Sequence, residues 1–242
     1  MDVRSVKQTP VRTLINSVHS IDDPSATLSP INVGTAAPGL SNTAERTAKP
    51  SDHFINIVVS RPSIEVNPHL WDWQAEALDA WHQSRCRGVI EAVTGAGKTM
   101  IGITAAFEAF RQGIKVLVLV PTAELQTQWQ RRLMETLPQA DVGTLGNGRK
   151  DSLSSCDILV AIINSATRGD LLKEHSEGLL IADECHRYAA ASFSKALQSD
   201  FKYRLGLTAT YERPDRANVA VLDPYFGGVV FQMWYDRALR DG

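Results

Sequence analysis

Glu91-Ala92-Val93-Thr94-Gly95-Ala96-Gly97-Lys98-Thr99 is the stretch whose reading decides the fold. A short apolar run, Gly88 to Val93, enters it with the length of a buried strand, and the residues from Lys98 onward read as a helix. A strand-to-helix junction made of small residues lets several backbone N–H groups converge on one anion, and the dipole of the helix adds to the attraction. Thr94, Gly95, Ala96 and Gly97 supply the curl. Lys98 supplies a point charge able to reach the outer groups of a polyphosphate, and the Thr99 hydroxyl opens the helix where it can help hold Mg²⁺. The strict spelling of such a phosphate loop begins with Gly; Ala92 stands there instead, and is small enough to keep the turn.

Outward from the loop the same alternation continues. Lys98 to Gln112 reads as a helix closed by Gly113, and Val116 to Val120 is an unbroken apolar run of the kind covered on both faces. Pro121 and Thr122 end that strand, and Thr122 caps a helix with Leu125, Trp129 and Leu133 as its inner stripe, stopped by Pro138. Val142 to Leu145, Ile158 to Ile163, Leu179 to Ala182 and Arg204 to Leu207 read as further strands, with Gly146 to Lys150 as a turn. Upstream, Ile55 to Val59 reads as a strand, and a helix follows with Asp72 as N-cap and Ala77, Leu78 and Trp81 at helical spacing. The pattern predicts an α/β domain over 53–242 with a mostly parallel sheet and helices on both faces, its ligands gathered at the carboxyl ends of the strands. Residues 1–52 contain no Phe, Trp or Tyr and are rich in Ser, Thr, Pro, Ala and Asn, a composition that predicts a disordered tail.

Composition bounds the function. The 242 residues carry a formal charge of -2 and a pI near 6.3, which argues against a bulk electrostatic nucleic-acid binder; any such contact must be local. Cys86, Cys156 and Cys185 fall in no metal spacing and suggest no disulfide framework, which fits a reducing cytoplasm. No apolar stretch is long enough to cross a bilayer, so no membrane partner is expected.

Leu179-Leu180-Ile181-Ala182-Asp183-Glu184-Cys185-His186 places two carboxylates at the end of a buried strand. Behind a phosphate loop, this pair has the chemistry of in-line phosphoryl transfer to water: Asp183 to hold Mg²⁺ together with Thr99, Glu184 to orient and deprotonate the attacking water. Leu205 to Thr210 ends another strand with two hydroxyls, Thr208 and Thr210.

Taken in order, Gln74, Ala92 to Thr99, Pro121-Thr122 with Leu125, Gln128 and Trp129, Asp183 to His186, and Thr208-Ala209-Thr210 resemble the Q motif and motifs I, Ia, II and III of the superfamily 2 helicases and translocases. The Asp-Glu-x-His spelling and the Thr-Ala-Thr-x-x-Arg-Pro-Asp run are similar to the branch containing type III restriction subunits and DNA-repair helicases. The resemblance covers about Leu70 to Gly242. It implies a RecA-like P-loop ATPase domain using ATP and Mg²⁺, with DNA favoured over RNA as the track. It makes Gln74 the reader of the adenine edge, His186, Thr208 and Thr210 the relay between nucleotide and strand, and Pro121, Thr122, Asn164 and Ser165 the nucleic-acid contacts. Trp71 stands where the family commonly has Arg; Trp71 and Trp73 are candidates for stacking on the base, although core packing is the commoner fate of a tryptophan. Trp129 is expected in the core.

Family members use a second RecA-like domain that completes the site with an arginine, worth about 10³ to 10⁵ in turnover. Arg237 and Arg240 do not resemble that motif, so the chain is expected to need a second RecA-like domain or subunit and to hydrolyse ATP weakly alone. The alternative from another class is a non-hydrolysing, nucleotide-dependent module that docks on a partner helicase or nuclease.

Overall fold

The computed structural model describes residues 68–172, 177–212 and 216–233, and its apolar runs join in one eight-stranded sheet. The strands are β1 (Arg87–Ala92), β2 (Lys115–Val120), β3 (Val142–Gly146), β4 (Arg149–Lys150), β5 (Ile158–Ile162), β6 (Gly178–Asp183), β7 (Tyr203–Thr208) and β8 (Val229–Met233). Their order is β4-β3-β5-β2-β6-β7-β1-β8. Every pairing is parallel except β3 with β4.

Parallel strands need crossovers, and these put helices on the faces. The long helices are α1 (Asp72–Gln83), α2 (Lys98–Arg111) and α3 (Ala123–Thr136); α4 (Ile163–Ala166) and α5 (Asp223–Phe226) are single turns. Alternation along each strand divides the core into two layers. Leu117, Leu119, Leu159, Leu180 and Val89 join one cluster with Tyr188, Phe201, Leu222 and Phe226. On the other face Ile181 and Leu207 meet α2 at Gly102, where the Trp129 ring of α3 also lies. Both faces of β2 and β6 are thus covered, which is why their sequences are apolar without a break.

Several boundaries differ from the expectation, each for a local reason. Trp71, not Asp72, holds the N-cap position of α1; Asp72 is the first helical residue, where its charge faces the helix N-terminus. The uncapped Trp71 N–H is satisfied by Gln74 Oε1 at 2.9 Å. Helix α2 ends at Arg111 with Gln112 as C-cap, and Gly113 follows at φ +73. The expected turn at Gly146 to Lys150 contains a strand: Asn147 (φ +49) and Gly148 (φ +82) form a tight two-residue hairpin that pairs Arg149 and Lys150 back onto β3.

The inner stripe of α3 is Gln126, Trp129 and Leu133, with Leu125 only half-buried. A glutamine is tolerated there because its Nε2 donates to Leu145 O at 3.1 Å and Val160 O at 2.9 Å, carbonyls of β3 and β5. β8 and α5 were not anticipated. The expected tail 1–52 and strand Ile55 to Val59 lie outside the described residues. All three cysteines are free and buried. Among the described residues, no helix is long and apolar enough to cross a membrane.

Candidate nucleotide-binding site

β1 delivers the phosphate loop and α2 carries it away. Gly95 and Gly97 adopt φ +85 and +91, left-handed values that favour glycine and turn the chain between strand and helix. A side chain at Gly97 would also collide with Gln74, whose Nε2 would lie 2.8 Å from the added Cβ. Gln74 is buried, and its Nε2 donates to Gly97 O at 3.1 Å, so the head of α1 is fastened to the loop. Thr94 and Gly95 are exposed, and Ala96 and Thr99 are half-buried.

Lys98 is folded back over the loop. Its Nζ donates to Ala92 O at 2.7 Å and Val93 O at 3.1 Å, leaving one ammonium proton for another acceptor. Burial pushes its pKa down, and the carboxylates of Glu184 and then Asp183 push it back up. The sheet brings the loop that carries this ammonium toward the acidic pair: Glu91 pairs with Thr208 and Leu207 with Asp183, so β1 and β6 are separated by β7 alone, a span of about 10 Å at ordinary strand spacing.

Asp183 ends β6 with only 6% of its surface exposed. Its Oδ2 accepts the indole N–H of Trp129 at 2.7 Å and its Oδ1 accepts the Glu184 backbone N–H at 3.0 Å. Burial raises its pKa, and the Trp129 hydrogen bond opposes the rise. Glu184 sits at φ +50, ψ +50, an uncommon conformation for a side chain branched beyond Cβ and one that costs of the order of 1–3 kcal/mol. Its side chain is 30% exposed, and Oε2 lies 3.4 Å from His186 Nδ1. His186 Nδ1 is also 2.9 Å from Thr208 Oγ1. Thr208 in turn donates to Thr210 O and accepts from Thr210 N, both at 3.1 Å.

The donor set fits a hard divalent cation: the Asp183 carboxylate keeps unused lone pairs on both pinned oxygens, and the Thr99 hydroxyl stands in the first turn of α2. Pro121 and Thr122 follow β2, and the Thr122 hydroxyl accepts Leu125 N at 3.3 Å as the cap of α3. Asn164, exposed, and Ser165, half-buried, lie on α4 just after β5. Trp73 is core, stacked against Phe231 at 6.4 Å, while Trp71 is 49% exposed.

For two side chains at the site the sequence did not show the polar partner. Glu91 of β1 accepts Tyr211 N at 2.8 Å and Gln232 Nε2 at 2.8 Å, tying the phosphate-loop strand to the segment after Thr210 and to β8. Trp129 holds Asp183, where stripe spacing alone showed only an apolar position.

Residues 67–213 match the family described as Type III restriction enzyme, res subunit. The chain belongs to that family. The res-subunit match is joined by similarity to the DNA 3'-5' translocase XPB2 of Sulfurisphaera tokodaii, 40% identical over 156 residues, which covers 64% of this chain and 34% of that protein. Similarity to the DNA 3'-5' helicase XPB of Mycobacterium tuberculosis is 32% over 153 residues, covering 60% and 27%. The chain therefore spans about a third or less of the length of these relatives. In fold it is similar to the Sulfolobus solfataricus SWI2/SNF2 ATPase core solved with dsDNA (TM-score 0.52, 21% identity, 66% of this chain and 35% of that one). It is also similar to the UvsW helicase of bacteriophage T4 (TM-score 0.53, 19% identity, 68% and 60%). The res-subunit domain thus has the RecA-like helicase architecture that the motif order implies.

Proposed function

We propose that this res-subunit domain binds ATP with Mg²⁺ and hydrolyses it as the motor domain of a DNA helicase or translocase. The observation that carries the reading is the convergence of Lys98 with Asp183 and Glu184 at one end of three adjacent strands. Residues 85 and 86 sequence positions from the loop lysine would have no reason to meet it there unless a polyphosphate were handled at the loop.

In this reading the loop N–H groups of Thr94 to Thr99 cradle the β-phosphate, and Lys98 exchanges its carbonyl partners for phosphate oxygens. Gln74, already fastened to Gly97, offers its amide to the adenine edge. Asp183 and Thr99 hold Mg²⁺, which when bound neutralises charge on the phosphate oxygens. Glu184 orients a water in line with the γ-phosphate and takes its proton. His186, bridging Glu184 and Thr208, carries the nucleotide state toward Thr210. Pro121, Thr122, Asn164 and Ser165 contact the nucleic-acid backbone through hydroxyls, amides and N–H groups, which needs no net positive charge. DNA is the track in this reading, supported by the names of the translocase and helicase relatives. A second RecA-like domain or subunit supplies the completing arginine, in keeping with the much greater length of those relatives. Cytoplasmic residence belongs to the same proposal.

The test is nucleotide binding and turnover by the chain, with and without duplex DNA. Wild type is expected to bind a fluorescent ATP analogue and to hydrolyse ATP slowly. Binding with no hydrolysis above a Glu184→Gln background, even with DNA and a second RecA-like domain added, would favour the non-hydrolysing docking module.

A further inference from the structure

Helix α3 contributes a side chain to the acidic pair that the reaction scheme above leaves unused. Trp129 has no exposed surface, and its Nε1–H donates to Asp183 Oδ2 at 2.7 Å. The far edge of the same ring faces α2. A Cβ added at Gly102 would fall 2.5 Å from Trp129 Cη2, with Leu207 Cδ1 at 3.1 Å and Ile181 Cγ2 at 3.4 Å. Gly102 lies one turn beyond Lys98. One indole from α3 is therefore wedged between the phosphate-loop helix and the strand that ends in the acidic pair.

Volume alone does not require tryptophan here, because phenylalanine or leucine also fills apolar space. What the indole adds is a donor. With Glu184 N–H on Oδ1 and Trp129 on Oδ2, both Asp183 oxygens are engaged and the plane of the carboxylate is fixed. Partners that orient a metal-binding group are worth roughly 10- to 100-fold in metal affinity.

The other end of the connection is the head of α3. Thr122 caps that helix directly after Pro121. Gln126, one turn on, fastens it to Leu145 O and Val160 O, and Trp129 follows on the same face. A displacement of α3 at its head is carried by a rigid helix to the indole and so to Asp183.

We propose that Trp129 is a positioning residue that fixes Asp183 for the cation and links the head of α3, as a nucleic-acid contact, to the metal by a route separate from His186 and Thr208. The proposal rests on the proposed reading of Asp183 as a cation ligand and of Pro121 and Thr122 as nucleic-acid contacts. Because coupling is reciprocal, the cation must change nucleic-acid affinity by the same factor by which nucleic acid at the head of α3 changes cation affinity.

The full chain is titrated with a fluorescent ATP analogue in EDTA and in Mn²⁺, and free Mn²⁺ is followed by electron paramagnetic resonance with and without duplex DNA. Trp129→Phe is expected to keep the EDTA affinity and to lose about tenfold in the Mn²⁺-dependent increment. It should also lose the effect of DNA on Mn²⁺ affinity. Leu133→Ala, a buried donor-less position on the same helix face, lowers the melting temperature but keeps the increment. Gly102→Ala presses on the ring without removing the indole; it should lose part of the increment and serves if Trp129→Phe does not fold. An increment unchanged in Trp129→Phe or, should that variant not fold, in Gly102→Ala overturns the proposal. So does an equal loss in Leu133→Ala. Absence of any Mn²⁺ increment in wild type would instead overturn the reading of Asp183.

Discussion

The carboxyl edge of the sheet has two halves that differ in how they are built. At β6, β7 and β1, almost every polar side chain is held: Lys98 by two carbonyls, Asp183 by two N–H donors, Glu91 by Tyr211 and Gln232, and Thr208 by His186 and Thr210. At β2 and β5 the candidate contacts are more open, with Asn164 exposed and Pro121, Thr122 and Ser165 half-buried. The first half is preorganised, as a reaction requires, since fixed dipoles need not reorient when charge develops. Under the proposed function the second half would offer adaptable groups to a nucleic-acid backbone. β6 stands at the boundary, and Asp183 is its last residue.

This contrast is open to attack from either side. The largest effect is expected from Glu184→Gln, which should lower residual hydrolysis by about 10² to 10⁴ while nucleotide binding survives, as a single-turnover assay will read. Lys98→Ala should follow with a loss of roughly 10- to 100-fold in nucleotide affinity, measured by fluorescence titration, because an ammonium contact to charged acceptors disappears. Thr208→Val removes the hydroxyl that bridges His186 and Thr210; stimulation of hydrolysis by DNA should shrink by about 5- to 150-fold, with basal turnover far less affected. Asn164→Ala should do least. Its stability change should stay within about 0.5 kcal/mol by thermal melting, with nucleotide affinity unaltered and DNA affinity lowered a few-fold at most. A large loss of nucleotide affinity in Asn164→Ala would erase the division between the halves.

Much of the first half was legible because its chemistry is local in sequence. A loop that must curl around an anion is spelled by consecutive small residues, and an acidic pair is spelled beside its own strand. Trp129, Gln126 and Glu91 were not legible for the opposite reason: each satisfies a partner on a distant element, 54 residues away in the case of Trp129 and Asp183. An i, i+4 stripe marks which side chains turn inward, yet it cannot tell a ring that only fills space from one that also donates. The choice of Leu125 over Gln126 for that stripe shows the same limit, since a buried glutamine is recognisable only through the carbonyls it meets. Asn147-Gly148 did carry a hairpin signal, but the returning strand is two residues long and too short to show a period. β8, which lies beside β1 with partly exposed residues, lacked the continuous apolar run that betrayed β2 and β6.

The brief β4 has an effect out of proportion to its size. A row of unpaired backbone donors and acceptors at the margin of a large sheet invites another polypeptide to add itself as a further strand. Here that margin offers two residues, Arg149 and Lys150, both exposed and both cationic. A second copy approaching β4 in register would bring like charges together over a ladder too short to compensate, which disfavours strand addition at this margin of the sheet.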